Sequence, residues 1–206
     1  MTRVTIVDYG LANLQSVVNA FAYLGADMTL AATGADLEDA EKIVLPGVGS
    51  FAAGMRGLRE RGHVEALEEL VLRQGRPYFG ICLGMQFLLE GSAEGDEPGL
   101  GWVPGRVARF PEGPGCAKVP HIGWNDIAVP SDSRLFAGIE DATDFYFVHS
   151  YYVPEASADD VACVGSCHYG LPFVAAFERD NILACQFHPE KSQLAGMKVI
   201  ENFLGL

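Results

Sequence analysis

The sequence predicts an α/β fold, with a mostly parallel central sheet, flanking helices and an antiparallel β portion in the second half. In the first half, short apolar runs alternate with segments of helical periodicity, which is typical of parallel strands wound by helices on both faces. The second half is richer in strand-like runs. Because no repeat or linker separates the halves, we expect one domain over residues 1–206.

Helical and strand patterns alternate through the first half. Asn13 can cap the first helix, in which Leu14, Val17 and Phe21 share one apolar face. Further helices are predicted over about 64–73 and 83–89. The predicted strands cover residues 4–7, 28–30, 42–45 and about 77–79.

The second half contains a series of predicted strands and one final helix. The strands cover residues 103–110, 119–128, 144–152, 161–167, 173–177 and 182–187, and the helix covers about 194–203. Residues 90–101, rich in glycine and acids, and residues 111–115 are predicted loops.

Composition restricts the class of protein. The net charge of −13 disfavours nucleic acid and anionic membranes as partners. The chain shows neither a signal peptide nor an apolar run of membrane-spanning length. Its five cysteines lack the spacing of a disulfide framework, so we expect a reducing, cytoplasmic location. We expect neither a metal nor a cofactor.

Cys82 is the first candidate for chemistry. It lies in the pattern Gly-x-Cys-x-Gly at residues 80–84, directly after an apolar run, which is typical of a nucleophile elbow between a strand and a helix. Glycines two residues before and after it permit a strained turn. The N-terminus of the following helix favours a thiolate. The N–H of Leu83 then lies where the oxyanion of a tetrahedral intermediate would form.

His188, Pro189 and Glu190 follow a predicted strand and supply a base and an acid. Proline keeps the preceding residue extended, and residues i and i+2 of an extended segment face the same side. By itself this tripeptide would indicate a surface turn with a salt-bridging glutamate. Together with an elbow cysteine it indicates a Cys-His-Glu triad and acyl transfer through a thioester.

Other histidines are weaker candidates for the base. His63 is expected at the solvated start of a helix, and neither His121 nor His149 is followed by an acid two residues later.

A glycine-rich turn at Gly47, Val48 and Gly49 has two interpretations. It formally matches a dinucleotide-binding fingerprint, but it follows the third strand rather than the first and a proline precedes it. We favour a turn at the carboxyl edge of the sheet, where active sites of open α/β sheets lie. There Val48 or Gly49 would provide a second oxyanion N–H.

Three segments together resemble the signatures of class I (triad) glutamine amidotransferases. These are residues 46–51 (PGVGSF), 80–86 (GICLGMQ) and 186–192 (QFHPEKS). Residues 119–125 and 145–151 resemble those of the glutaminase subunits of imidazole glycerol phosphate synthases. The resemblance covers nearly the whole chain and implies a flavodoxin-like amidotransferase fold.

The resemblance also implies a reaction. Cys82 would attack the side-chain amide of glutamine. His188 would protonate the departing ammonia and then activate water, while Glu190 orients it. Ammonia would pass to a cyclase subunit in a heterodimer, which forms imidazole glycerol phosphate and aminoimidazole carboxamide ribotide in histidine biosynthesis.

Further residues would hold the substrate. The resemblance implies that the side chain of Gln86 and the backbone near Gly49, Ser150 and Tyr151 bind the glutamine.

Three residues that the triad does not explain are candidates for the partner interface. They are Asn13, Trp124 and Lys191, which we expect near the catalytic edge of the sheet. The ordinary alternative is that Trp124 is a core residue and Lys191 a solvated charge.

Two other functions use the same residues. One is a glutaminase subunit of another amidotransferase, and the other is a Cys-His-Glu hydrolase or peptidase of similar fold. A binding module without activity would contain Cys82 as an ordinary thiol.

Overall fold

Parallel strands lie at the centre of the structure, as the apolar runs of the first half predict. The computed structural model describes residues 2–11, 13–155 and 161–206. In these residues the strands are β1 (Arg3–Val7), β2 (Asp27–Ala31), β3 (Lys42–Gly47), β4 (Tyr78–Cys82), β5 (Leu89–Ser92), β6 (Gly95–Pro98), β7 (Val103–Arg109), β8 (His121–Ile127), β9 (Thr143–His149), β10 (Tyr151–Tyr152), β11 (Ala162–His168), β12 (Pro172–Arg179) and β13 (Ile182–Cys185). The helices are α1 (Leu14–Tyr23), α2 (Phe51–Glu60), α3 (His63–Leu67), α4 (Leu83–Gln86) and α5 (Gln193–Leu204). A π-helical segment (Glu68–Arg73) continues α3, and short 3₁₀ turns lie at Gly34–Leu37 and Pro189–Lys191.

The largest sheet in the described residues has the strand order β11-β12-β13-β4-β3-β1-β2. The strands from β13 to β2 run parallel, and β12 and β11 add an antiparallel portion. A smaller sheet has the order β10-β7-β5-β6, and β8 and β9 form an antiparallel pair. The predicted α/β class, mostly parallel with antiparallel strands in the second half, is confirmed.

Helices cover both faces of the large sheet. On one face α1 and α5 pack together, with the rings of Phe21 and Phe203 in a T-shaped contact at 6.3 Å. On the other face α2 and α3 contribute Phe51 and Leu67 to a second apolar cluster. Burial on both faces explains why the central strands are continuous apolar runs rather than alternating ones.

The predicted loop at residues 90–101 is wrong, because this segment contains most of β5 and all of β6. In β6 the side chains alternate between half-buried and exposed, and two of them are acids, so the segment lacks the apolar alternation that marks a strand. Strand β5 pairs in parallel with β7, and β6 pairs with β5 in an antiparallel hairpin.

The helix predicted over residues 83–89 is also too long, since α4 ends at Gln86. The N–H groups of Leu100 and Val103 donate to the carbonyls of Phe87 and Leu88 at 2.7 and 2.9 Å. These bonds turn the chain out of the helix toward β5.

Helix α2 was not predicted from the sequence. Gly54 and Gly57 lower its helix propensity, yet both allow close packing. A Cβ atom at Gly57 would lie 2.7 Å from the carbonyl oxygen of Tyr9. Ser50 caps this helix by accepting a hydrogen bond from the N–H of Ala53 at 3.2 Å.

The carboxyl ends of the parallel strands meet at one edge, where Gly47 of β3 pairs with Cys82 of β4. Strand β13 ends beside them, with Cys185 opposite Ile81. Such an edge is the usual place for a site in an open α/β sheet. Among the residues that the structure describes, no helix has the length and apolar composition needed to cross a membrane.

Candidate active site

Cys82 ends β4 in a strained turn. Its backbone dihedrals are φ 55° and ψ −106°, a region that a non-glycine residue rarely adopts. Strain of this kind costs about 1–3 kcal/mol and is concentrated at functional sites. Cys82 is 6% exposed and directly precedes α4. The predicted elbow is therefore present in the backbone geometry.

The two elbow glycines are required by close backbone approach. A Cβ atom at Gly80 would lie 2.7 Å from the carbonyl oxygen of Gly84, and one at Gly84 would collide with the carbonyl oxygen of Leu45. The helix that follows is a single turn, because α4 ends at Gln86. Its dipole is correspondingly small, so hydrogen-bond donors and neighbouring charges contribute more to stabilising a thiolate.

His188 and Glu190 form a buried hydrogen-bonded pair. Nδ1 of His188 lies 2.8 Å from Oε1 of Glu190, and both side chains are 3% exposed. His188 is extended, at φ −100° and ψ 96°, as its position before Pro189 predicts. Its backbone is anchored by the N–H donated to the carbonyl of Tyr146 at 2.9 Å and by the hydroxyl of Ser192, which donates to the His188 carbonyl at 2.7 Å.

The other ring nitrogen of His188, Nε2, is buried and has no hydrogen bond of acceptable geometry within the described ranges. Burial by itself lowers the pKa of His188. The charge of the Cys82 thiolate and the interaction with Glu190 outweigh burial and raise this pKa to about 10. The ring of His188 is therefore held protonated at neutral pH, and an imidazolium beside a cysteine is an arrangement that activates thiol nucleophiles.

A cavity of about 190 Å³ opens in front of Cys82. This volume is below the roughly 300 Å³ at which pockets for drug-sized ligands begin, so it suits one small molecule. The six residues that we predicted as substrate or oxyanion contacts all lie in its wall. They are Val48, Gly49, Leu83, Gln86, Ser150 and Tyr151.

Glu94 also lines this cavity and was missed, because it lies in the segment predicted as a loop. Its Oε2 accepts the N–H of Phe51 at 2.6 Å, which fixes the carboxylate at the start of α2.

Gln186 was missed although a signal was available. It lies two residues before His188, and alternate residues of an extended segment face the same side. The side chain is fully buried, and its Nε2 lies 3.5 Å from Sγ of Cys82.

Of the remaining histidines, His63, His121 and His149 are buried and His168 is exposed. His63 was expected to be solvated, but it is fully buried and its Nε2 lies 3.3 Å from the carbonyl oxygen of Asp8. Burial lowers its pKa. The residue starts α3 as predicted, but the turn packs against the loop after β1 instead of facing water. His121 and His149 contact each other at 3.0 Å.

The three interface candidates are near the predicted edge. Asn13 is exposed before α1, but its side chain makes no capping hydrogen bond. Trp124 is 47% exposed on β8, with its ring 5.9 Å from that of Tyr146, so it is not a core residue. Lys191 is exposed at the end of the Pro189–Lys191 turn. Helix α1 packs beside this turn, and Trp124 shares a surface depression with the residues that follow it.

Similarity to known proteins agrees with this geometry. Residues 5–205 match the family described as "Glutamine amidotransferase class-I". The chain is 47% identical to imidazole glycerol phosphate synthase subunit HisH of Geobacter sulfurreducens, over 98% of each chain. It is 44% identical to subunit HisH 2 of Pseudomonas aeruginosa, over 98% of this chain and 99% of the other.

The fold is shared with more distant proteins. A chain in the structure of PurLQS from Thermotoga maritima superposes with a TM-score of 0.76 at 21% sequence identity, over 98% of this chain and 97% of that one. The full-length match to the family and the identity to two HisH subunits show that this chain belongs to the class I glutamine amidotransferases, among the HisH subunits of imidazole glycerol phosphate synthase.

Proposed function

We propose that this chain is the glutaminase subunit of an imidazole glycerol phosphate synthase, hydrolysing glutamine to glutamate and ammonia. The observation that carries the proposal is the elbow cysteine with the buried His188–Glu190 pair beside a small cavity. These groups are the nucleophile, base and orienting acid that acyl transfer needs.

In the first half of the reaction, Sγ of Cys82 attacks the amide carbon of glutamine. The carbonyl π electrons move onto the oxygen, and the N–H groups of Leu83 and of Val48 or Gly49 stabilise the resulting oxyanion. The imidazolium of His188 gives its proton to the leaving nitrogen. Ammonia departs as the C–N bond breaks, and a glutamyl thioester remains.

In the second half, His188 is neutral and takes a proton from water, which attacks the thioester carbon. The C–S bond breaks, glutamate leaves and the thiolate–imidazolium pair is restored. Glu190 accepts the Nδ1 proton of His188 in a hydrogen bond throughout, which keeps Nε2 directed to the reacting atoms.

The cavity favours a free amino acid over a peptide. Its small volume accommodates one residue, and Glu94 provides a fixed carboxylate for an α-ammonium group. Gln86, Ser150 and Tyr151 supply amide and backbone groups for the polar ends of glutamine. A peptide, with amide bonds on both sides, would have neither a free ammonium for Glu94 nor room in the cavity.

We propose further that ammonia passes to a cyclase subunit, with Asn13, Trp124 and Lys191 in the interface. Trp124 is half-exposed in a surface depression that it shares with the residues directly after the exposed Lys191, which supports this placement. A working thiolate requires a reducing environment, which supports a cytoplasmic location. The chain would act as one domain over residues 1–206.

Labelling with a diazoketone analogue of glutamine tests the assignment. We expect one equivalent bound to Cys82, protection by glutamine and no labelling of Cys82→Ala, together with glutamate production by the wild-type complex. Cleavage of peptide substrates without labelling would indicate a peptidase, and labelling without synthase activity beside the cyclase would indicate another amidotransferase.

A further inference from the structure

A line of hydrogen bonds connects the β8–β9 pair to the nucleophile. The line runs Asn125 Nδ2–His121 Nε2 (3.4 Å), His121 Nδ1–His149 Nε2 (3.0 Å), His149 Nδ1–Tyr151 O (2.8 Å), Tyr151 O–Gln86 Nε2 (3.0 Å), Gln86 Nε2–Gln186 Oε1 (2.9 Å) and Gln186 Nε2–Cys82 Sγ (3.5 Å). Its imidazole and glutamine side chains are each at most 6% exposed. Hydrogen bonds in such a low-dielectric environment are strong and polarise one another.

The backbone carbonyl of Tyr151 fixes which partner donates in each bond, because a carbonyl oxygen can only accept a hydrogen bond. The carbonyl of Tyr151 accepts from Gln86, so the amino group of the Gln86 amide faces it. The second proton of that amino group is donated to Oε1 of Gln186. Gln186 must therefore direct its own amino group at Sγ of Cys82. The flipped amide would oppose two amino groups and place an oxygen against the thiolate.

The same carbonyl fixes the protons on the other side. Because Tyr151 O accepts from His149, that ring carries its proton on Nδ1, and its Nε2 accepts from Nδ1 of His121. Nε2 of His121 then accepts from Asn125, whose amino group also donates to the carbonyl of His168 at 3.1 Å. Both rings must be neutral, and burial lowers their pKa to about 4 for His121 and about 3 for His149.

We infer that Gln186 is a further catalytic residue, whose amide N–H stabilises the Cys82 thiolate, and that Gln86 and the Tyr151 carbonyl are positioning groups that hold this amide in the donating orientation. The inference rests on the proposed function, because it concerns the thiolate that attacks glutamine. A donor on sulfur favours the charged form of a thiol over the neutral one.

The test measures thiolate formation without glutamine or a partner. The rate of Cys82 alkylation by iodoacetamide is followed against pH, by mass spectrometry of the peptide that contains Cys82, in the full chain. The titratable groups that interact with Cys82 or line its cavity are unchanged in every variant. They are His188 with its partner Glu190, Tyr9, Cys185, Glu94, His149 and Tyr151.

The variants separate the donor from the group that positions it. Methionine is similar in length to glutamine but has no N–H donor. Gln186→Met should therefore raise the pH midpoint of Cys82 alkylation by about one unit, the shift expected when a charged group loses one hydrogen bond. Gln86→Met should raise the midpoint too, through the freed Gln186 amide. The double variant should match Gln186→Met, because one residue acts through the other. Exposed Gln74→Met is the matched control and should keep the wild-type midpoint.

A wild-type midpoint in folded Gln186→Met would overturn the inference, as would additive shifts in the double variant. If Gln186→Met does not fold, Gln86→Met is the deciding variant. A pH midpoint of Cys82 alkylation in Gln86→Met equal to that of the wild type would then overturn the inference. Glutamine hydrolysis by the wild-type complex is measured separately. If the variants shift the alkylation midpoint but the wild-type complex does not hydrolyse glutamine, Gln186 remains the donor to the thiolate and the proposed function is rejected.

Discussion

Nδ1 of His188 and Oε1 of Glu190 lie 2.8 Å apart, in a site that leaves only 3% of either side chain exposed. This pair holds the imidazole so that Nε2 is the nitrogen available to Cys82 and substrate. Because the neighbouring thiolate and carboxylate raise the pKa of His188 to about 10 against the effect of burial, a proton is held at the site through neutral pH. That proton is the one that departing ammonia requires.

Replacement of Cys82 by alanine should abolish glutamine hydrolysis, with a loss on the order of 10³-fold or more, as for other triad nucleophiles. The assembled complex should still form product from an added ammonium salt, since we propose that the acceptor site is in the partner. Both activities are measured on the same preparation. If a folded complex loses both, ammonia transfer between subunits is the wrong interpretation.

Glu190→Gln should reduce turnover less than His188→Ala. The first variant loses orientation of the ring, whereas the second loses the group that transfers the proton. Steady-state glutaminase rates of the complex give the comparison, with circular dichroism as the check on folding. Equal losses in two folded variants would show that base and orienting acid do not have separate roles.

The buried His121–His149 pair should make the fold sensitive to acid. The pKa of each ring is lowered by burial, to about 4 and about 3, whereas an unfolded histidine has a pKa near 6.5. The stabilisation is therefore present above about pH 6.5 and is lost as the pH falls toward these folded values. Each ring should lower the free energy of unfolding by about 2 kcal/mol at pH 5 relative to pH 7.5.

Urea unfolding of His121→Phe at both pH values measures this effect. Phenylalanine keeps the aromatic stacking with Tyr169, at 3.9 Å in the wild type, and cannot titrate. The variant should lose about 2 kcal/mol less than the wild type between pH 7.5 and 5. His168→Asn, at an exposed histidine, is the control and should behave as the wild type. The same pH dependence in His121→Phe and wild type would contradict the prediction.

The isolated subunit should be a poor glutaminase that docking activates. Contact beside the Val48–Gly49 turn would set the second oxyanion donor, and one such donor changes the rate by about 10²–10³. Glutaminase turnover is compared between the subunit alone and the complex with its substrate-loaded cyclase. Equal turnover in the two states would reject activation and leave the glutaminase assignment intact.

Trp124→Ala should weaken docking of the cyclase by about 2 kcal/mol, or roughly 30-fold in Kd, as for a tryptophan at the centre of an interface. Leu72→Ala is the matched control, because Leu72 is 51% exposed on the π-helical segment that continues α3, over the other face of the sheet. Calorimetric titration with the cyclase gives both values. An unchanged Kd for Trp124→Ala would place the interface elsewhere.

The elbow and the His-Pro-Glu pair were predictable because each depends on neighbouring residues. Proline sets the backbone before it, and the glycines at positions 80 and 84 permit a turn that a Cβ atom would block. The central strands were also predictable, because a sheet covered on both faces has strands that are continuous apolar runs.

Several features were missed because packing, rather than the local apolar pattern, forms them. Strand β6 is formed by pairing with β5 rather than by its own apolar pattern, so Glu94, in the turn between these strands, was not among the predicted site residues. Helix α2 contains two glycines that would weaken it in isolation, and packing against the Tyr9 backbone compensates for them. His63 starts a helix as predicted, but the loop after β1 covers it.

The α/β class, the elbow, the His-Pro-Glu pair and the reaction class could be predicted from the sequence, because strand periodicity, an elbow and an i, i+2 pair are local properties of the chain. The groups that surround the thiol come together only when the chain folds. Gln86 and Gln186 are separated by 100 residues, and the carbonyl of Tyr151 lies on a third segment. A carboxamide can direct either end at a neighbour, so the donor that faces Cys82 is chosen by the fixed backbone acceptor that folding brings beside it.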